Sequence, residues 1–202
     1  MTYLFVRPKR NVSYWFCLTQ PPFTPTTNNN AFGASLTAGQ WVHNYVVVEY
    51  EKDFILKIPY VFAYINTAYT TTDASINFAL YEDNNLVYGH TTPILVTTVG
   101  RKDFNVSNTL LQNYIFRKGR KYIWAFALGS NTSALDTTGR MEIVNTSFGI
   151  VSDLSVYINR SEQQARRVVS GFNGTNWDNT INLDTYTSTN LRNLLMAWIK
   201  EV

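Results

Sequence analysis

The sequence predicts an all-β fold: an antiparallel β-sandwich of jelly-roll type, with an extended N-terminal arm and a C-terminal amphipathic helix. Three observations predict it. Aromatic residues are abundant, with 13 Tyr, 12 Phe and 5 Trp among 202 residues, and together with Val, Ile and Thr they favour strands. Short apolar stretches alternate with turn-forming Asn, Asp, Gly and Thr along the middle of the chain. Clear helical periodicity is confined to the C-terminal part.

Residues 1–40 hold two apolar stretches, 2–6 and 12–18, around Arg7-Pro8-Lys9-Arg10, followed by a Pro-, Thr- and Asn-rich stretch from 20 to 40. They are expected to form an attachment arm and linker. From 41 to 158 a strand succession is expected: 41–50 with the block Val46-Val47-Val48, 54–65, and then 75–81 after a turn-rich stretch. In 75–81, Ile76, Phe78 and Leu80 alternate with Ser75, Asn77, Ala79 and Tyr81, as a half-buried strand requires. Glu82-Asp83-Asn84-Asn85 signals a hairpin returning through 86–88. Short strands follow at 94–98, 102–106 and 114–116.

The stretch 122–128 is apolar at every position, with Tyr122, Trp124, Phe126 and Leu128 on one face and Ile123, Ala125 and Ala127 on the other. It therefore reads as a central strand covered on both sides. Strands at 141–144, 147–151 and 155–158 complete the sandwich domain, 41–158. The remaining residues, 159–202, are expected to be an extension. Ser161-Glu162-Gln163-Gln164 can open a short helix, 171–182 reads as loop, and Leu191, Leu194, Leu195, Trp198 and Ile199 fall on one face of a helix at about 190–200.

Charged residues make up 15% of the chain, against about 25% in ordinary domains. Neutral Thr, Asn and Ser take their place, giving a surface that packs against copies of itself or hydroxyl-rich ligands with little ion desolvation. The net charge of +3 comes from small Lys/Arg clusters at expected turns, so nucleic acid is not an expected partner. Cys17, the single cysteine, excludes an internal disulfide and fits synthesis in a reducing cytosol. No secretory signal is expected at residues 1–10, and no apolar run reaches the 18 or so residues of a membrane span.

Catalytic chemistry is not expected. The two His, His43 and His90, lack zinc spacing, and no nucleophile elbow or phosphate-binding Gly-rich loop occurs. His43 sits in a strand and reads as a core residue. The carboxylates of Glu49, Glu51, Asp53, Glu82, Asp83, Asp103, Asp136 and Glu142 mostly fall at turns rather than in an acid/base motif. Residues 82–85 suit a hairpin better than a calcium site. No catalytic, metal-binding or cofactor-binding residue is predicted, and no cofactor.

Contact residues are a different matter. Tyr69, Tyr88, Trp177 and Tyr186 lie in or beside polar segments. They are candidates for stacking on a glycan or receptor, or for covering the core. Tyr3, Phe5, Leu191, Leu194, Leu195 and Trp198 are candidates for docking onto a neighbouring subunit.

An ordered series of segments carries a family likeness. It runs from Ile58-Pro59-Tyr60-Val61-Phe62-Ala63-Tyr64-Ile65 through a Thr-rich turn to Ala74–Asn85. It continues past the pair Leu110-Leu111 to Gly119-Arg120-Lys121-Tyr122-Ile123-Trp124-Ala125-Phe126-Ala127. Over about residues 41–153 this resembles the β-sandwich module of bacteriophage tail and appendage proteins. The sequence departs from the pattern at Asn77 and Phe78 and at both termini. The resemblance implies a virion component, often trimeric or ring-forming, that mediates assembly and host-surface attachment, with no catalytic residues to carry over. The expected partners are copies of the chain, other virion proteins and a host surface glycan or receptor. The expected location is the virion, after synthesis in the host cytoplasm. Two alternatives stand beside it: a minor capsid, head-fibre or decoration protein, and a stand-alone carbohydrate-binding module.

Overall fold

The structure, a computed structural model, describes residues 14–17, 36–50, 53–56, 60–107, 109–136, 139–141, 143–145, 158–166, 171–182, 193–195 and 197–201. Among them every strand pairing is antiparallel and no helix occurs. The all-β expectation holds for these residues.

The larger sheet is organised around β10 (Lys121–Gly129), which runs between β2 (Trp41–Tyr50) and β5 (Ser75–Glu82). β13 (Ile158–Arg166) lies outside β2. β6 (Asn85–Gly89) and the short β7 (Ile94–Leu95) follow the outer edge of β5. The second sheet centres on β4 (Tyr60–Thr67), with β8 (Gly100–Asn105) along one edge. β15 (Ala197–Glu201) and then β11 (Arg140–Met141) follow its other edge, and β1 (Tyr14–Cys17) lies outside β15. Two ribbons complete the set, β3 (Phe54–Leu56) with β9 (Tyr114–Phe116) and β12 (Ile143–Asn145) with β14 (Asn193–Leu195).

The alternation in β10 builds two apolar layers. Tyr122, Trp124, Phe126 and Leu128 join Ile76, Phe78 and Leu80 of β5 in one buried cluster, which also takes Val61, Ala63 and Ile65 of β4 and Phe104 of β8. The two sheets thus share a core, and Phe78 meets Phe104 edge to face with ring centroids 5.1 Å apart. Ile123, Ala125 and Ala127 face the opposite layer. Ala125 stands opposite Tyr45 of β2 and Ala79 of β5, and Ala127 opposite His43. Small side chains there leave room for a second covering, supplied by Phe172, Trp177 and Ile181. The covered central strand read from the sequence is therefore present.

The hairpin expected at 82–85 also forms. Asp83 and Asn84 link β5 to β6 at φ of 48° and 72°, the pair of positive values a type I′ turn needs. The helices expected in the C-terminal part are corrected: 161–166 belong to β13, and 193–195 and 197–201 are β14 and β15. A helix of about ten residues is marginal by itself, whereas β2, β4 and β12 offer edges to pair with. Trp198 and Ile199 consequently stand opposite Phe62 and Val61. The strand expected at 147–151 lies outside the described residues.

Two carboxylates lock the loops at one end of the sheets reciprocally. Asp73 accepts from Ser130 Oγ, from the N–H groups of Asn131 (3.0 Å) and Thr132 (2.8 Å), and from Thr132 Oγ1 (2.9 Å). In return Asp136 Oδ2 accepts from the N–H groups of Thr70 (2.7 Å) and Thr71 (2.8 Å) and from Thr71 Oγ1 (3.0 Å). Its Oδ1 accepts from Gly139 N–H at 3.2 Å. Four donors offset the effect of burial on the Asp73 carboxyl, and its pKa lies below the usual value.

Candidate functional site

The covering of the β10 small face is a compact hairpin. Asp178 closes it: its N–H donates to the Gly171 carbonyl (2.6 Å) and its carboxylate accepts from Gly171 N–H (2.7 Å). Asn173 shapes the tip, its Oδ1 accepting from the N–H groups of Thr175 (3.0 Å) and Asn176 (2.9 Å). Gly171 and Gly174 adopt φ of 126° and 94°, conformations that suit glycine. Phe172 and Trp177 face each other across the hairpin and both pack onto the sheet.

Several contacts hold this hairpin down. Trp41 meets Phe172 edge-on at 4.7 Å, and the Tyr81 hydroxyl donates to the Asp178 carbonyl at 2.9 Å. His43 Nε2 accepts from Phe172 N–H at 2.8 Å, so its ring proton belongs on Nδ1. His43 is a core residue, 1% exposed. Asn131 ties the hairpin to the Asp73 loop, accepting from Trp41 Nε1 and donating to the Gly174 carbonyl, each at 3.2 Å. Beyond the hairpin, Leu86 N–H donates to the Asn179 carbonyl and Ile181 N–H to the Asn84 carbonyl, which seats residues 179–181 beside β6.

Where this hairpin meets the end of β6, a cleft of about 480 Å³ opens. Gly89, His90 and Thr91 form one wall and residues 175–179 the other. The close approach depends on Gly89, since a Cβ there would lie 2.8 Å from Trp177 Cδ1. His90 Nδ1 stands 3.0 Å from the Thr92 carbonyl and 3.4 Å from the Thr92 amide nitrogen, and the shorter contact favours the tautomer with the proton on Nδ1 and Nε2 as acceptor. Burial lowers the His90 pKa and outweighs the opposing effect of that carbonyl, leaving the ring neutral near pH 7. The side chains of Thr91, Thr175, Asn176 and Asn179 are exposed and make no hydrogen bond among the described residues. Trp177 is 6% exposed, and its Nε1–H is buried without an acceptor.

Tyr69, 2% exposed, and Trp177 are core residues, so neither presents an open ring face for stacking on a sugar, and both readings as exposed contacts are corrected. The segments are polar, but each places one ring under a turn. The Tyr69 ring lies against Gly139, where a Cβ would come within 2.2 Å of Tyr69 Cγ. Gly139→Ala is therefore expected to destabilise the fold by about 2 kcal/mol, read as a lower midpoint in urea unfolding. Tyr88 is partly exposed beside Phe78, with ring centroids 5.5 Å apart. Tyr186, Tyr3, Phe5 and Leu191 lie outside the described residues. Leu194 and Leu195 stand in β14 opposite Val144 and Ile143, and Trp198 in β15 stands between Cys17 of β1 and Phe62 of β4. Sequence reasoning missed His90, Thr91, Asn176 and Asn179 as neighbours. The available signal was the run Gly171-Phe172-Asn173-Gly174-Thr175-Asn176-Trp177-Asp178, a turn flanked by two aromatics.

Four other carboxylates serve local structure, while Glu51 and Glu142 lie outside the described residues. Asp53 accepts from Lys118 N–H, Asp83 pairs with Arg120, and Asp103 pairs with Arg101. Glu82 accepts from the Tyr114 and Tyr122 hydroxyls at 2.9 and 3.3 Å. Burial, reinforced by the Glu82 charge, pushes the Tyr122 pKa up to about 12, so both groups stay in the arrangement expected of a phenol donating to a carboxylate. No cluster of three or more metal-ligating side chains occurs among the described residues.

Among the described residues the exposed large hydrophobics are Leu95 in β7 and Val99 beside β8, and Ile55, Leu110 and Ile115 at the β3–β9 ribbon. On the β3–β9 ribbon, Phe116 is buried in the core and Tyr114 packs against it, which turns Ile115 outward opposite Ile55. These two are 44% and 62% exposed, and Leu110, in the turn before β9, is 74% exposed. No protein-family model matches the chain, and no curated protein and no solved structure matches it either.

Proposed function

We propose that the chain is a structural component of a bacteriophage particle, a tail, fibre or appendage protein that works by contact and assembly and catalyses no reaction. On this reading the two sheets form a jelly-roll-like β-sandwich, and the particle is its site of action. The observation that carries the proposal is the outward apolar pair Ile55 and Ile115 on a chain whose surface is otherwise rich in neutral polar residues. Such a pair is suited to burial against another copy of the chain or another virion protein, because little charge must be desolvated.

Native mass measurement tests the proposal. The wild-type protein is expected to be a trimer or larger ring. Ile55→Asp and Ile115→Asp are expected to yield monomers whose stability changes by no more than about 0.5 kcal/mol, as both positions are exposed. A wild-type monomer at micromolar concentration contradicts the assembly reading. It favours instead a carbohydrate-binding module acting alone, the reading that the neutral cleft supports.

A further inference from the structure

We infer that the cleft between the end of β6 and the 171–178 hairpin binds an uncharged, hydroxyl-rich ligand, a single neutral sugar ring of a surface glycan. This rests on the reading of the protein as one that works by contact, and it names what one of its contacts takes. Three observations converge. The cleft has a volume of about 480 Å³, in the range of small-molecule sites. Apart from the Asp178 carboxylate, its hydrogen-bonding groups are neutral and uncommitted: hydroxyls of Thr91 and Thr175, amides of Asn176 and Asn179, and an uncharged His90 ring. Hydroxyl groups both donate and accept, and so does this set, whereas an anion would find no cation among the lining residues.

The third observation is Trp177 Nε1–H, a buried donor with no acceptor. An unsatisfied buried donor is unfavourable unless something relieves it. The neighbouring Cδ1 lies against Gly89, a residue of the cleft wall, so this edge of the indole lies at the cleft boundary. A sugar hydroxyl or ring oxygen entering there can accept the bond after a small local shift. The ring itself does no stacking, so recognition depends on hydrogen bonds and favours a sugar with its hydroxyls directed at the two walls. Asp178 holds the hairpin with Oδ2 through Gly171, and its charge adds an acceptor suited to a hydroxyl donor and unfavourable to an anion.

The test uses the full chain and a panel of neutral methyl glycosides (of glucose, galactose, rhamnose and N-acetylglucosamine), followed by amide and indole N–H resonances in NMR. Trp177→Phe identifies the Trp177 indole signal by its disappearance. With a few neutral hydrogen bonds to one ring, half-saturation is expected at about 1 mM. At least one glycoside should move the Trp177 indole signal together with backbone amides of residues 175–179. Asn176→Ala should weaken that response at least about tenfold, the loss of one good hydrogen bond. The Asn176 backbone N–H, not its side chain, serves the hairpin tip, so this variant should fold. Trp177→Phe keeps a smaller aromatic ring in the core, removes the unpaired donor and should also fold while losing affinity. No shift with any glycoside at ten times that concentration overturns the inference, as does a response that Asn176→Ala leaves intact. Neither outcome bears on the assembly proposal, which native mass decides separately.

Discussion

Trp177→Ala is expected to destabilise the protein by about 3–5 kcal/mol, the range for emptying a large aromatic site in a packed core. On a chain of this size that lowers the melting temperature by roughly 10 °C. The magnitude follows from what the ring touches. Its centroid lies 5.2 Å from Phe172, 6.0 Å from His43 and 6.4 Å from Tyr81, so it joins the hairpin to both β2 and β5. The alanines of β10 and β5 beneath this layer are too small to close the space it would leave. A substitution on an exposed loop changes stability by no more than about 0.5 kcal/mol, so calorimetry separates the two pictures of Trp177 without ambiguity.

Asp136→Ala carries the second large effect, a loss of about 2–4 kcal/mol. From the described residues the carboxylate accepts four hydrogen bonds, and two of their donors belong to Thr71, only 9% exposed, where water is a poor substitute. Asp73, which holds the opposite loop, gives a pH signature. Its folded pKa lies below the usual 3.8, because the hydrogen bonds from Ser130, Thr132 and Asn131 together exceed the effect of burial. A folded value below the unfolded one means that the contribution is fully present above the unfolded pKa. It is lost as pH falls through the folded pKa. In urea melts at a series of pH values, Asp73→Asn should therefore lower stability at pH 7 and flatten the decline below about pH 4.

Much of the middle of the chain was legible because its signals are local. β10 is apolar at every step, which only a doubly covered strand tolerates. The alternation of Ile76, Phe78 and Leu80 located β5 but pointed to a half-buried strand, whereas Ser75, Asn77, Ala79 and Tyr81 are buried too, under the 171–182 covering and the neighbouring loops. Asp83-Asn84 announced a two-residue turn because both residues accept positive φ at low strain. The C-terminal strands were not legible, because the spacing of Leu191, Leu194, Leu195, Trp198 and Ile199 satisfies a helix. What decides their conformation is a distant partner in each case: for β15 the edge of β4, more than 130 positions earlier in the chain, and for β14 the strand β12, about 50 positions earlier. The role of Trp177, left open between glycan stacking and covering the core, was undecided by sequence for a related reason. A Gly-, Asn- and Thr-rich segment is normally exposed loop, and nothing nearby in sequence says that its two aromatics fill the space above Ala79, Ala125 and Ala127. The cleft shares that origin, since its walls come from residues 89–91 and 175–179 and meet only after the hairpin docks.

The central claim is that residues 171–182 are the second covering of the β10 sheet and thereby build the cleft. Hydrogen exchange of individual amides tests it most directly. Phe172 N–H donates to the buried His43 ring, Asp178 N–H to Gly171, and Ile181 N–H to Asn84. These three are predicted to exchange slowly, at rates approaching those of the β10 amides, while the N–H groups of Thr175 and Asn176 at the exposed tip exchange much faster. Exchange of Phe172, Asp178 and Ile181 at the rate of an unprotected chain, with β10 still protected, would contradict the claim.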